Sequence, residues 1–110
     1  MANEQARESS DWLEEYEGQL AIDVYQTDDA IVIKAPIAGV SKDDIEVSLT
    51  EDVLTIKGER KTAQDISQDQ YFAQECYWGT FSRSYILPLP VDGDRGTAKL
   101  SAGILTITLP

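Results

Sequence analysis

The residues able to do chemistry are few and badly matched to one another. Cys76 is the single cysteine, and the 110 residues contain no histidine. The thiol therefore has no imidazole to take its proton, and its neighbour Glu75 is an anion rather than the cation that would favour a thiolate. The densest carboxylate clusters are Asp43-Asp44 and Asp92-Gly93-Asp94. Adjacent residues on a strand point to opposite faces, which spoils a dyad. A calcium loop needs a regular series of oxygen ligands, as in D-x-D-x-D-G, and Asp92 with Asp94 supplies only a fragment that reads better as a turn. The phosphate-cradling pattern G-x-x-x-x-G-K-S/T is absent. An acid-pair glycosidase is the enzyme type that the carboxylates would best suit, but a domain this small lacks a deep cleft to house one. The expectation is a protein that is not an enzyme, with no catalytic residues, no cofactor and no metal site.

Arg83 is the one polar residue out of place. On a strand it shares a face with Phe81, Tyr85 and Leu87. A guanidinium on an apolar face needs a carboxylate or several carbonyls, because a buried unpaired charge is very costly. Either Arg83 makes a structural ion pair, or it sits exposed at the end of a sheet.

The elements that would position these residues repeat every two residues, not every 3.6. Leu20, Ile22 and Val24 alternate with Ala21, Asp23 and Tyr25. Asp28-Asp29 follows as a turn, then Ile31, Ile33 and Ala35 alternate up to Pro36. Ile45, Val47 and Leu49 form the next run, Glu51-Asp52 turns, and Leu54 and Ile56 continue to Gly58. Phe81 to Leu87 is a longer strand closed by Pro88 and Pro90; Thr97 to Leu100 and Ile104 to Leu109 flank the turn Ser101-Ala102-Gly103. Half-buried strands separated by turn signals predict an all-β, antiparallel immunoglobulin-like sandwich of about seven to eight strands. No segment supports the crossover helix that a parallel sheet would need. The predicted core is Ile22, Val24, Ile31, Ile33, Val47, Leu54, Ile56, Phe81, Leu87, Leu105, Ile107 and Leu109.

Two segments stand outside this pattern. Residues 1–18 are an acidic arm interrupted by Trp12, Leu13 and Tyr16, partly ordered, in which Asp11 and Glu14 could cap a short helix. Residues 59–78 form a loop too long for a hairpin, polar at first and then carrying Tyr71, Phe72, Tyr77 and Trp78. Long loops in compact domains usually have a task, and such aromatics need a surface to cover. The folded domain is thus expected over residues 19–110.

Charge narrows the partners. Twenty acidic residues against nine basic give a formal net charge of -11. That opposes nucleic acid, whose phosphates call for clustered Lys and Arg, and it opposes an anionic membrane surface. It favours solubility. One cysteine rules out an internal disulfide, which fits a cytoplasmic protein. No apolar run approaches the roughly 20 residues of a membrane span, and no basic-then-apolar signal segment opens the chain. The polar start and the stop at Pro110, directly after an apolar run, read as the ends of a piece of a longer protein.

Four segments, in order, carry a family resemblance. Pro36-Ile37-Ala38-Gly39-Val40 followed by Asp44-Ile45 resembles P-x-x-G-V…D-I. Leu54-Thr55-Ile56-Lys57-Gly58-Glu59-Arg60 resembles L-x-I-x-G-E-R, and the run from Gly79 to Pro88 resembles G-x-F-x-R-x-F-x-L-P. The run from Ala98 to Pro110 is similar to A-x-x-x-n-G-V-L-x-I-x-L-P. Together they resemble the small heat shock proteins of bacteria, archaea and plants, whose core is the alpha-crystallin domain. The sequence departs from that pattern at Cys76, where an Arg is common after Glu75, and at Tyr85, Ala102 and Ile104. The longer N-terminal arm and the I-x-I tail of full-length members are not recognisable.

The resemblance implies an ATP-independent holdase of the stress response that binds partly unfolded client proteins and suppresses their aggregation. A co-chaperone or scaffold interaction module of the same shape is the other reading. The resemblance further implies a homodimer made by loop exchange, with a strand at Tyr71, Phe72 and Ala73 adding to the partner's edge near Leu20 to Val24, and Arg83 fixing that interface or pairing with an acid. Ile45, Val47, Leu49, Ala98 and Leu100 would line a groove for a C-terminal tail or a client. Larger homo-oligomers would form only in a full-length form that has the tail.

Overall fold

The computed structural model describes residues 18–62 and 64–110. The arm expected over residues 1–18, with its helix cap at Asp11, falls outside them except for Gly18. Eight strands make two four-stranded sheets: β1 (Gly18–Gln19), β2 (Asp23–Gln26), β3 (Ile31–Pro36), β4 (Ile45–Thr50), β5 (Val53–Arg60), β6 (Gly79–Ile86), β7 (Thr97–Ser101) and β8 (Ile104–Leu109). One sheet runs β1-β6-β5-β4 and the other β2-β3-β8-β7. All pairings are antiparallel but one: β1 lies parallel to β6 over two residues, Gly18 opposite Phe81 and Gln19 opposite Ser82. Among the described residues no helix is long and apolar enough to cross a membrane.

The alternation in the sequence becomes the two inner faces. Ile31, Ile33 and Ala35 on β3 stand opposite Leu109, Ile107 and Leu105 on β8, and Leu54 and Ile56 on β5 meet them from the other sheet in one buried cluster with Phe81 and Leu87. Nine of the twelve expected core residues are buried; Ile22, Val24 and Val47 pack against the cluster half-buried. The cluster also takes in Leu20, Ile37 and Val40. These three lie in connections rather than strands, where a period of two has no hold. The run expected from Leu20 to Tyr25 breaks at Leu20–Ile22, because the chain there leaves one sheet and enters the other.

Two of the motif segments meet around one aromatic ring. Gly58 is the cross-strand partner of Phe81, and a Cβ at Gly58 would lie 2.5 Å from Phe81 Cζ and 3.0 Å from the Asp44 carbonyl oxygen. The ring therefore lies flat across the glycine. Arg60 covers it with its guanidinium 5.8 Å from the ring centroid while Nε donates to the Ala38 carbonyl at 3.0 Å. Gly58→Ala is expected to destabilise the domain by about 1–3 kcal/mol, since the buried ring must leave its rotamer or the strands must part; a denaturant midpoint equal to that of the parent would show that the ring is free to move.

The last hairpin carries a conformational cost. Ala102 has φ 53° and Gly103 φ 76°, the two positive values that a two-residue turn between twisted strands requires. Glycine adopts them freely; alanine does so at a cost of about 1–2 kcal/mol. Ala102→Asn or Ala102→Gly is accordingly expected to raise the melting temperature by several degrees, and a fall would contradict the turn.

Candidate groove between the sheet edges

β4 and β7 are the last strands of their respective sheets, so the sandwich is open along that side. Ile45, Val47 and Leu49 alternate inward along β4 as half-buried residues, with Glu46, Ser48 and Thr50 exposed between them. Serine at Ser41 starts the single 3-10 turn Lys42–Asp44 that precedes β4, its hydroxyl accepting from the Asp43 amide at 3.2 Å. That turn sets Ile45 at the mouth. On the other side Leu100 stands opposite Leu105 and Ala98 opposite Ile107.

Between these edges lie two hollows in tandem. The larger, about 460 Å³, is lined by Val40, Ile45, Val47, Ala98, Leu100 and Leu105, with Ser41 and Lys42 at its rim. The smaller, about 220 Å³, runs on past Leu49, Leu54, Gly96 and Leu109. Val47 and Ala98 border both and form the waist between them. All five groove residues expected from the sequence are thus brought together along one slot. Sequence reasoning missed Val40, Gly93 and Gly96. Gly93 and Gly96 sit where any side chain would fill the smaller hollow's wall: a Cβ would come within 3.0 Å of Leu49 Cδ2 at Gly93 and within 2.8 Å of Leu109 Cδ2 at Gly96.

The slot is walled mainly by aliphatic side chains, with Ser41 and Lys42 at the larger hollow and Ser48 and Thr97 at the smaller, and among the described residues it carries no catalytic constellation. Cys76 is exposed, lies in the long loop and does not line the slot. Asp92 and Asp94 form the turn that was expected: the Asp92 carboxylate accepts from the Asp94 amide at 3.1 Å. Asp44 pairs with Lys61 at 3.1 Å, and that hydrogen bond and charge hold the Lys61 ammonium above its ordinary range. Among the described residues no cluster of three or more His, Cys, Asp or Glu side chains is placed to hold a metal.

Arg83 takes a partner of a different kind. Its register places it opposite Ile56 on the inward face, but β1 ends at the pair Gln19–Ser82, so among the described residues no strand flanks Arg83 on that side and its side chain reaches the open edge. There Nη1 donates to the Leu20 carbonyl at 3.0 Å. Among the described residues no carboxylate pairs with it. The guanidinium ties the crossing segment between β1 and β2 to β6.

The long loop starts two residues later than the sequence suggested, because β5 continues through Glu59 and Arg60 opposite Thr80 and Gly79. From Lys61 to Trp78 it contains one 3-10 turn, Gln68–Gln70, and no strand among its described residues. Tyr71 is half-buried, Ala73 exposed and Phe72 fully exposed at 108%. β2, at the edge of its sheet, presents a side that no described strand pairs.

Comparison with known proteins points one way. The profile of the Hsp20/alpha crystallin family matches residues 23–110. The chain is 41% identical over 90 residues to the spore protein SP21 of Stigmatella aurantiaca, covering 82% of this chain and 53% of that one. It is 37% identical over 90 residues to a 17.8 kDa class I heat shock protein of Arabidopsis thaliana, covering 81% and 57%. Among solved structures, heat shock protein 16.0 of Schizosaccharomyces pombe superposes with a TM-score of 0.78 at 33% identity, over 86% of this chain and 87% of that one. The chain spans little more than half the length of the curated relatives it matches here.

Proposed function

Because the chain belongs to the Hsp20/alpha crystallin family of small heat shock proteins, we propose that it is the core of an ATP-independent holding chaperone whose working surface is the groove between β4 and β7. The observation that carries this is the tandem pair of hollows, walled mainly by aliphatic side chains, that meet at Val47 and Ala98. Successive side chains on one face of an extended chain are two residues apart, about 6.5–7 Å, so a segment with apolar residues at i and i+2 fits two adjoining hollows. A C-terminal tail of a neighbouring subunit and an unfolded stretch of a client would share that chemistry. Binding exposed apolar chain lowers the concentration of the species that aggregates, with no nucleotide needed. Burying about 400 Å² of apolar surface contributes on the order of 10 kcal/mol, most of it offset by association costs, so capture is weak and gains from multivalency.

The test is light scattering of a heat-unfolding client with and without the chain. Suppression is expected, and Val47→Glu or Leu100→Glu, which put a charge into the groove, should remove most of it while leaving the melting curve of the domain in place. A Val47→Glu chain that suppresses as well as the parent places the working surface elsewhere. Absence of suppression by the parent favours the interaction-module reading.

Loop exchange is the proposed route to a dimer. It is supported by the free edge of β2 and by a loop that holds Phe72 out in solvent at 108% exposure. An extended Tyr71-Phe72-Ala73 segment reaching a partner's β2 would pair both sets of backbone groups, and two-fold symmetry makes the contact twice. Arg83, clipped to Leu20 beside β2, would hold that edge in place and meet an acid of the arriving loop. Larger assemblies would form only in a full-length form that has a C-terminal tail to dock.

A further inference from the structure

A second surface lies at the end of the sandwich where β2–β3, β4–β5 and the segment after β6 come together. Pro88 and Pro90 are exposed and fix the backbone dihedral on either side of Leu89, which stands 47% exposed. Leu89, Pro90 and Val91 form a ridge with a hollow on each flank. One hollow, about 380 Å³, is lined by Leu87 and the ridge together with Glu51 and Asp52. The other, about 190 Å³, is lined by the ridge and Ile31 together with Asp28 and Asp29. No lysine or arginine lines either hollow. All four acidic residues are exposed, and among the described residues none of their carboxylates joins an ion pair. The arrangement is pre-formed. The Leu87 amide donates to the Asp52 carbonyl at 2.8 Å and the Asp92 amide to the Pro110 carbonyl at 2.9 Å. Thr27 closes the Asp28-Asp29 turn, its Oγ1 accepting from the Ala30 amide at 3.1 Å.

We propose that this ridge is a docking surface for an extended, cationic segment of another protein, in which a leucine-sized side chain is flanked by Lys or Arg. A leucine-sized side chain of the partner gives the half-exposed Leu89 something to bury against, and carboxylates on both flanks match a cation on each side of the docked side chain. Ridge and turns are held before binding, so little ordering entropy is lost. The surface shares only the buried Leu109 with the groove between β4 and β7, and its partner differs in being selected by charge. A chaperone carrying it would favour basic unfolding chains over acidic ones.

The probe is a short labelled peptide with a Lys-Leu-Lys centre, followed by fluorescence anisotropy, alongside one with Glu-Leu-Glu and one with Lys-Ser-Lys. The Lys-Leu-Lys peptide is expected to bind with a Kd between about 10 μM and 1 mM, weakening several-fold as salt rises from about 50 to about 300 mM. The Glu-Leu-Glu peptide should not bind, and Lys-Ser-Lys should bind at least about fivefold more weakly. Leu89→Ser should weaken Lys-Leu-Lys by a similar factor. A chain with Asp28→Lys, Asp29→Lys, Glu51→Lys and Asp52→Lys should reverse the preference to Glu-Leu-Glu; the neutral set Asp28→Asn, Asp29→Asn, Glu51→Gln and Asp52→Asn, which keeps side-chain shape, should abolish it. Net charge is controlled with Asp43→Lys, Glu46→Lys, Asp65→Lys and Asp69→Lys, which change the total equally and should leave the preference in place. Val47→Glu should leave binding intact, so failure of the groove reading does not touch this one. The proposal is overturned if Leu89→Ser and the neutral set bind as the parent does, if the control set removes binding as fully as the ridge set, or if Val47→Glu alone removes it.

Discussion

Removal of residues 64–74 is expected to convert a dimer into a monomer, read by light scattering or sedimentation, with the melting curve of the sandwich preserved at low concentration. The segment contributes no residue to the buried cluster and no strand to either sheet, so its loss withdraws little from the fold. What it withdraws is Phe72, the most exposed large hydrophobic side chain among the described residues, and the backbone that would pair with β2. A single substitution gives the same reading at lower amplitude. Phe72→Ala should weaken the dimer by about 2 kcal/mol, some thirtyfold in Kd, as for an aromatic anchor seated at a partner's edge. A dimer that survives the deletion with unchanged Kd is held by another surface, and the exchange is refuted.

Ile107→Ala is expected to have the largest effect on stability of any single truncation here. Ile107 is 2% exposed and lies between Ile33 on β3 and Ala98 on β7. Removing three of its carbons leaves a void in a cluster fixed by strands on both sides, so about 2–5 kcal/mol is lost, a large part of the 5–15 kcal/mol that domains possess. The melting temperature should fall by at least about 10 °C. Ile86→Ala is the matched control. The same side chain, 68% exposed on the outer face of β6, should change stability by no more than about 0.5 kcal/mol. Equal losses at the two sites would mean that the core does not lie between the sheets as described.

The parts of this molecule legible in the sequence are those governed by a local rule. Period two located β3, β4, β5, β6, β7 and β8 to within two residues, because each buries one face and each is bounded by a proline, a glycine or an acidic turn. The groove residues came from the family resemblance; alternation alone says only that Ile45, Val47 and Leu49 share a face, on a strand whose neighbour is present on one side. Features set by distant partners were not legible. Leu20, Ile37 and Val40 are buried from connections, where burial depends on what folds over them. Arg83 was expected to seek a carboxylate, or to be exposed at a sheet's end. It is exposed, and it found the Leu20 carbonyl, because the end of β1 leaves an open edge there that only the assembled sheet defines. The Gly58–Phe81–Arg60 stack explains why G-E-R and G-x-F occur together: a ring on one strand needs a missing side chain on the next.

The unequal hollows between β4 and β7 give the groove a sense of direction. A slot with two identical cups accepts an extended chain laid N-to-C or C-to-N with equal packing. Here the cup beside Ile45 and Leu100 is about 460 Å³ and the one beside Leu49 and Gly96 about 220 Å³, and the rim lysine, Lys42, belongs to the larger one alone. A segment with one bulky and one slender knob therefore has a preferred heading, and turning it round leaves one cup underfilled and the other crowded. Where such a segment belongs to a neighbouring subunit, the heading decides from which side that subunit's body must approach, so polarity in the architecture of an assembly can originate in the difference in volume between two adjoining cups.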